Sequence, residues 1–363
     1  MRKLLIPALI LVAAAVSCKE TSVQPRPTIP LVHFVAADTT GIGRLAARAG
    51  ATGGTIAILG EPDNGIILAR RFQGCDRVDN VDGSPERDSL LDFAGETFDV
   101  IMDALNAPYS AFLASADSLR EVAVQDALCA WDTLCWRSTA DAAPLLRKES
   151  AKLIILTSSL QAQWGLFDVD TLQQMTGGKC RVLSPVKTLL ADAYAAGARS
   201  IAVWTTRDVR SSGAWQAVLE SKDFPDAHLT VIAPEKALDV RTELRNLLRQ
   251  YRTTGRVLDA LLIDNFAIDM APLQSELALI RKSATLEDEA FVAMLSPDFR
   301  VMEPTSSIIG ATYRLLRENH LFTHRIALPV VHYYETAESL EGTPILVETT
   351  ADYALSTYVP NLH

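Results

Sequence analysis

The chain reads as a layered α/β protein whose doubly wound parallel sheets are divided between two units. Three observations predict this. From Pro30 onward, short apolar runs alternate with amphipathic stretches, the rhythm of strand–helix repeats. Several runs are almost continuous in Val, Ile, Leu and Ala, as strands buried on both faces must be. The 363 residues also exceed the size at which a single core stops growing, about 250–300 residues.

The first element is a leader. Arg2 and Lys3 precede the apolar run Leu4–Val16, broken only by Pro7, and Ala15-Val16-Ser17-Cys18 fits a lipobox. A membrane span needs about 20 apolar residues, so residues 1–17 read as a cleaved export signal. Cys18 is then the lipidation site, carrying palmitate or similar chains that anchor the body to a membrane without crossing it. This predicts a bacterial cell-envelope location, outside the cytoplasm. Residues 18–29, with Pro25 and Pro27, read as a tether.

Strands are expected at Leu31–Ala37, Thr55–Leu59, Phe98–Ala104, Lys152–Thr157, Ser200–Trp204, Leu229–Ala233, Ala260–Ile263, Phe291–Leu295 and Ile326–Val331. Helices are expected over Ser118–Trp136 and Pro185–Ala196, the second stopped by Gly197. Val240, Leu244, Leu247, Leu248 and Tyr251 form an apolar stripe at helical spacing, with Arg241, Arg245, Arg249 and Arg252 on a solvated side. Ser306 is a candidate cap for the helix ending near Asn319. Asp76–Asp92 reads as a loop and Leu166–Lys179 as an insertion.

Hydrophobic residues make up 48% and charged residues 21%, which predicts a packed body. A net charge of −10 without a long basic run excludes nucleic acid as an expected partner. For Cys75, Cys129, Cys135 and Cys180, free buried thiols and one long-range disulfide both stay open. The spacings favour no metal and no cofactor: there is no CxxC, and His320, His324 and Glu318 read as the end of a helix. Asp168-Val169-Asp170 is a weak metal-carboxylate pattern in an expected loop. Gly41-Ile42-Gly43-Arg44-Leu45-Ala46 matches GxGxxA, with Glu61 downstream. Asp38-Thr39-Thr40 separates it from the preceding run, so it reads as a strand-to-helix turn rather than a dinucleotide site.

The second half carries a resemblance. Ser184–Gly197 leading into Ala198-Arg199-Ser200-Ile201-Ala202-Val203-Trp204, and later Leu258-Asp259-Ala260-Leu261-Leu262-Ile263-Asp264-Asn265, resemble segments of type I periplasmic binding proteins. The resemblance covers roughly half the chain and implies two Rossmann-like domains joined by a hinge, with a ligand cleft between them. It further implies that residues 30–182 and 300–320 form the first domain. Residues 183–299 and 321–363 then form the second.

In open parallel sheets, ligands sit beyond the C-terminal strand ends. That rule selects Asp38, Thr39, Asp63, Asn64, Asn106, Ser158, Trp164, Arg207, Asp264, Asn265 and Asp298 as ligand-binding candidates. Glu61, Tyr109, Ser159 and Thr205 lie in the same loops. Acids and amides there suit a small polar solute, and Trp164 suits stacking. The leading expectation is a solute-binding lipoprotein without catalysis, serving a transporter or sensor. The alternatives are an exported hydrolase or isomerase using paired acids, and a structural or partner-binding lipoprotein.

Overall fold

A computed structural model describes residues 27–50, 53–219, 223–234, 239–323, 325 and 327–351. The expected leader, Cys18 and His324 lie outside these residues. The chain opens with two helices, α1 (Pro30–Ala37) and α2 (Ile42–Arg48), where a strand was expected. Pro30 sits at the first helical position, whose N–H has no partner in any helix. Val32 and Val35 are buried at helical spacing. A Cβ on Gly43 would come within 2.2 Å of Val35 O. The GxGxxA run therefore serves close helix–helix packing, with no strand before it.

The first unit continues with β1 (Thr55–Gly60), α3 (Pro62–Gln73), β2 (Thr97–Met102) and α4 (Ala116–Trp131). A short ribbon follows, β3 (Leu134–Cys135) with β4 (Leu146–Arg147), then β5 (Ala151–Leu156), α5 (Ser159–Thr176) and β6 (Arg181–Leu183). The second unit holds α6 (Pro185–Ala195), β7 (Ser200–Trp204), α7 (Arg207–Ser212), α8 (Ala214–Leu219), β8 (His228–Ile232) and α9 (Val240–Arg252). It ends with β9 (Leu258–Ile263), α10 (Met270–Lys282), α11 (Leu286–Met294) and β10 (Leu295–Met302). The last segments are α12 (Pro304–Glu318), β11 (Val330–Glu338) and β12 (Pro344–Thr349).

The larger sheet has the order β12-β11-β2-β1-β5-β6 and the smaller one β10-β9-β7-β8. All pairings are parallel except β11–β12. Both units wind alike. The first strand pairs with the second on one side and the third on the other, so the winding reverses between β1 and β5 and again between β7 and β9. Every residue of β1 and β5 is buried, which explains their unbroken apolar sequences.

Several expectations are corrected. Residues 166–176 belong to α5 and are no insertion; Val169 and Leu172 are fully buried in the core. Phe291 lies inside helix α11, and the strand begins at Leu295. Residues 330–349 pair into the larger sheet rather than standing with the second unit. Glu303, not Ser306, caps α12 by accepting from the Thr305 and Ser306 N–H groups. Arg245 is not simply solvated: it bonds Glu276 at 2.6 Å and Asp288 at 2.8 Å, tying α9 to α10 and α11.

Arg120 on α4 grips Asp168 on α5 through Nε at 2.6 Å and Nη2 at 2.8 Å. Both side chains are buried, and Nη2 also donates to Pro27 O at 2.7 Å, pinning the entry of the chain. Asp168 is thus an ion-pair partner, not a metal carboxylate. Removing one member of a buried pair strands the other charge, which typically costs about 3–5 kcal/mol. Arg120→Ala is expected to lose stability in that range by urea denaturation, and a loss below about 1 kcal/mol, the scale of an exposed pair, would refute this role.

Candidate active site

The loops after the C-terminal strand ends of the two sheets meet. Beyond β5, Ser158 caps α5 by accepting from Gln161 N. Ser159, one residue on, donates to Asp264 Oδ1 at 2.7 Å, and Asp264 follows β9 in the other sheet. Asp264 Oδ2 accepts from Thr205 Oγ1 at 2.8 Å and Trp215 Nε1 at 2.7 Å. Gln163 Nε2 adds a second link, donating to Ser212 O at 3.1 Å. Around these bonds, Tyr109, Leu160 and Trp164 from the first unit pack in one apolar cluster with Ile201, Trp215 and Leu262 from the second. Burial holds the Asp264 carboxyl above the ordinary range, even though three donors favour its charge.

Beside this seam lies a group of carboxyls on the first sheet. Glu61 follows β1 and precedes α3; it is half-buried, and its Oε1 accepts from Tyr109 N at 3.1 Å. Asp103 follows β2, its N–H bound to Gly60 O at 3.0 Å, and is fully buried. Its Oδ1 accepts from Thr336 Oγ1 at 2.6 Å and Asn106 Nδ2 at 3.0 Å. Asp126 on α4 is buried below, taking Gln161 Nε2 at 2.5 Å and the Tyr109 hydroxyl at 3.3 Å on Oδ2. Asp103 Oδ2 and Gln161 Oε1 are buried without a hydrogen-bond partner.

Electrostatics follow from this enclosure. Burial pushes Glu61 up, opposed by the Tyr109 N–H and reinforced by the charges of Asp103, Asp63 and Asp208. Burial also raises Asp103, against its Thr336 and Asn106 donors. Asp126 is pushed well above the carboxylate range by burial and then by Asp103. A carboxyl so shifted keeps its proton to higher pH than a free one and, once ionised, is a stronger base. Asp208, on α7 of the second unit, acts on Glu61 across the seam, so both units contribute to the site's field.

The residues selected from sequence divide into three groups. Asp63 and Asn64 stand in the first turn of α3, and Asn64 Nδ2 reaches Thr157 O at 3.5 Å; these, with Asn106, Ser158 and Asp264, lie at the converging strand ends. Trp164 is buried in the apolar cluster and offers no stacking face, while Arg207 and Asn265 are exposed. Arg207 Nε donates to Pro234 O at 3.2 Å, and Asn265 Oδ1 accepts from Ala267 N at 2.8 Å. Asp38 and Thr39 lie elsewhere, in the α1–α2 turn. Asp38 accepts from the Gly41 and Thr40 N–H groups, which lower it to about 2. Asp298 is exposed on β10 and lines a recess of about 170 Å³ with Asp259 and Arg300, at the N-terminal edge of its sheet. A larger cavity of about 440 Å³, lined by Glu149, His320 and Arg325, opens at the N-terminal edge of the first sheet, away from the carboxyls.

Asp103, Asp126, Gln161, Trp215 and Thr336 escaped the sequence reading. Asp126 had a signal: it is an acid three and four residues from the buried Ala123, Val122 and Ala130 of the same helix. Cys75, Cys129, Cys135 and Cys180 are free, and none follows the C-terminal end of a strand in either of the two main sheets. Burial pushes the Cys75, Cys129 and Cys180 thiols to about 12, so at neutral pH they are not thiolates. Among the described residues, no group of His, Cys, Asp and Glu is arranged to hold a metal.

No family model matches the chain, and no curated protein does. Solved structures do. A glutamate racemase from Francisella tularensis, in complex with D-glutamate, is 13% identical with a TM-score of 0.48, covering 85% of this chain and 95% of that one. An aspartate racemase homologue from Pyrococcus horikoshii is 11% identical with a TM-score of 0.35, covering 73% and 99%. An arylmalonate decarboxylase is 14% identical with a TM-score of 0.34, covering 80% and 97%. These neighbours correct the expected kinship with type I periplasmic binding proteins. With it go the solute-binding role without catalysis and the transporter or sensor partner. At this identity the likeness is one of architecture, and the chemistry of this chain is read from its own side chains.

The two residues after β9 are expected to behave differently. Asp264→Ala leaves two hydroxyls and an indole N–H without their acceptor; at about 1–3 kcal/mol for each buried unsatisfied group, a loss of at least about 2 kcal/mol is expected. Asn265→Ala removes one exposed turn bond and is expected to cost less than about 1 kcal/mol. Denaturant titration of both variants checks the contrast, and equal losses would contradict it.

Proposed function

We propose that this protein is an enzyme that moves protons on a small polar substrate, an isomerase-type reaction run by carboxyl groups. The observation that carries the reading is Glu61. It is half-buried beside the point where the first sheet reverses its winding, it is reached by charges from both units, and Asp103 and Asp126 lie buried behind it. The crevice at such a reversal is where doubly wound sheets hold their ligands.

Glu61 is the member of the group with solvent access, so it exchanges the proton with substrate. Its carboxylate is the base; its protonated form is the acid in the return step. Asp103 and Asp126 tune it. Their burial favours protonated forms, and any charge on Asp103 opposes a second charge on Glu61. Tyr109 fixes the Glu61 carboxyl through its backbone N–H and orients Asp126 through its hydroxyl. An isomerisation by proton removal and return needs only such a base and acid within reach. The leader Arg2–Cys18 supports action outside the cytoplasm.

The test is deuterium incorporation from D2O into a mixture of α-amino, α-hydroxy and keto compounds, followed by NMR. Wild-type protein is expected to exchange a proton in at least one compound, and Glu61→Gln is expected to lower that rate by about 100-fold or more. The pH profile has a stated sign. Base catalysis needs ionised Glu61, and its carboxyl is raised, so the acid limb is expected above the ordinary value of 4.5. Full exchange in Glu61→Gln, or an acid limb below 4.5, would overturn the proposal.

A further inference from the structure

We propose that the cavity at the N-terminal edge of the first sheet binds a small zwitterion, a molecule carrying one ammonium and one carboxylate group. The inference is independent of the proton-transfer reading. The cavity holds about 440 Å³, within the range of small-molecule sites, roughly 300–1,000 Å³. Two residues that line it place it in the sheet: Gly54 precedes β1 and Thr97 begins β2. Glu61 and Asp103 follow the other ends of those strands. A strand of this length spans about 20 Å, so the cavity lies at the far end of the sheet from the carboxyls.

One wall is fixed from beneath. Lys152 of β5 and Glu96 form a fully buried ion pair at 2.7 Å. Lys152 Nζ also donates to Leu321 O at 2.7 Å and to Thr323 Oγ1 at 3.1 Å, and Glu96 Oε1 accepts from Thr323 N at 2.6 Å. Leu321 and Thr323 line the cavity, so bonds from the sheet set the position of this wall. Thr323 Oγ1 accepts from the ammonium, which leaves its own hydrogen for an acceptor in the cavity. Arg325 is held alongside: its N–H donates to Thr323 O at 2.9 Å, and a Cβ on Gly95 would come within 2.2 Å of Arg325 O.

The charged side chains at the opening are unpaired. Glu149, His320 and Arg325 all line the cavity and are exposed. Among the described residues, their side chains make no ion pair or hydrogen bond. Arg325 and Glu149 are opposite in sign and share one cavity, yet they do not pair with each other. A guanidinium and a carboxylate held apart across one opening match a ligand whose own two charges are held apart. Its carboxylate meets the Arg325 fork, with His320 and Thr323 as further donors, and its ammonium meets Glu149. A simple anion would bring like charge to Glu149, and a simple cation would bring it to Arg325. Phe322, whose ring packs on Tyr313 at 5.2 Å between centroids, gives the hydrocarbon part an apolar neighbour.

The experiment measures binding of 2-aminobutyrate, 4-aminobutyrate, butyrate and 1-aminopropane to the full chain by calorimetry. The two aminobutyrates differ in charge spacing; butyrate lacks the ammonium and 1-aminopropane lacks the carboxylate. At least one aminobutyrate is expected to bind about fivefold or more tightly than either single-charge probe, the scale of one partly screened charge pair. Arg325→Gln is expected to weaken that aminobutyrate and butyrate without weakening 1-aminopropane. Glu149→Gln is expected to weaken the aminobutyrate and 1-aminopropane without weakening butyrate. Both substitutions remove exposed, unpaired charges, and circular dichroism verifies that the variants fold. The proposal is overturned if neither aminobutyrate binds, if a single-charge probe binds as tightly as both, or if either variant binds the aminobutyrate unchanged. The D2O assay reads the Glu61 site and these variants read the cavity, so either proposal can fail without the other.

Discussion

One carboxylate holds the two halves of this molecule face to face. Asp264 follows the central parallel strand pair of the second sheet, yet one of its oxygens is bound by Ser159 from the first. Thr205 and Trp215 complete its shell from its own unit. Because these donors come from both sides of the seam, the meeting of the sheet ends is specified by geometry rather than by apolar contact alone. The surrounding cluster of Tyr109, Trp164 and Trp215 supplies area, while the polar bonds fix register.

Enclosure at that seam produces the chemistry. A glutamate beyond a strand end in open solvent would be an ordinary carboxylate. Glu61 instead stands beside a closed junction, over two buried acids and opposite Asp208. Each of these conditions opposes ionisation, so the same constraint that joins the sheets also moves protons into the useful range. The thiols lie outside this junction, and burial there only makes them inert.

Sequence reading recovered the interior strands well, because burial on both faces leaves an unmistakable apolar run: Ser200–Trp204 was placed to the residue, and 55–59 and 152–157 to within one or two. It failed where an apolar run was short and served a helix. Leu31–Ala37 and Phe291 carry no mark in composition that separates strand from helix, and only Pro30 hinted at the outcome. The strand-end rule located Asp63, Asn64, Asn106, Ser158 and Asp264 at the right end of their sheets. It missed Asp103 because the expected strand ran through it, and Asp126 because a helix was read for its apolar face alone. Asp38 and Asp298 were misplaced because each depended on a strand boundary that the chain does not have. Pairing across the seam, as in Ser159 with Asp264, spans 105 residues and leaves no local trace.

The most direct measurement is a carbon-13 NMR titration of the side-chain carboxyl carbons, with Glu61 assigned by its absence in Glu61→Gln. Glu61 is expected to titrate above 4.5 in the intact protein, and the Asp126 carboxyl well above its ordinary value of 3.8. A Glu61 carboxyl that titrates at or below the ordinary value would mean that the seam does not enclose it, and the proton-transfer site would have to be abandoned.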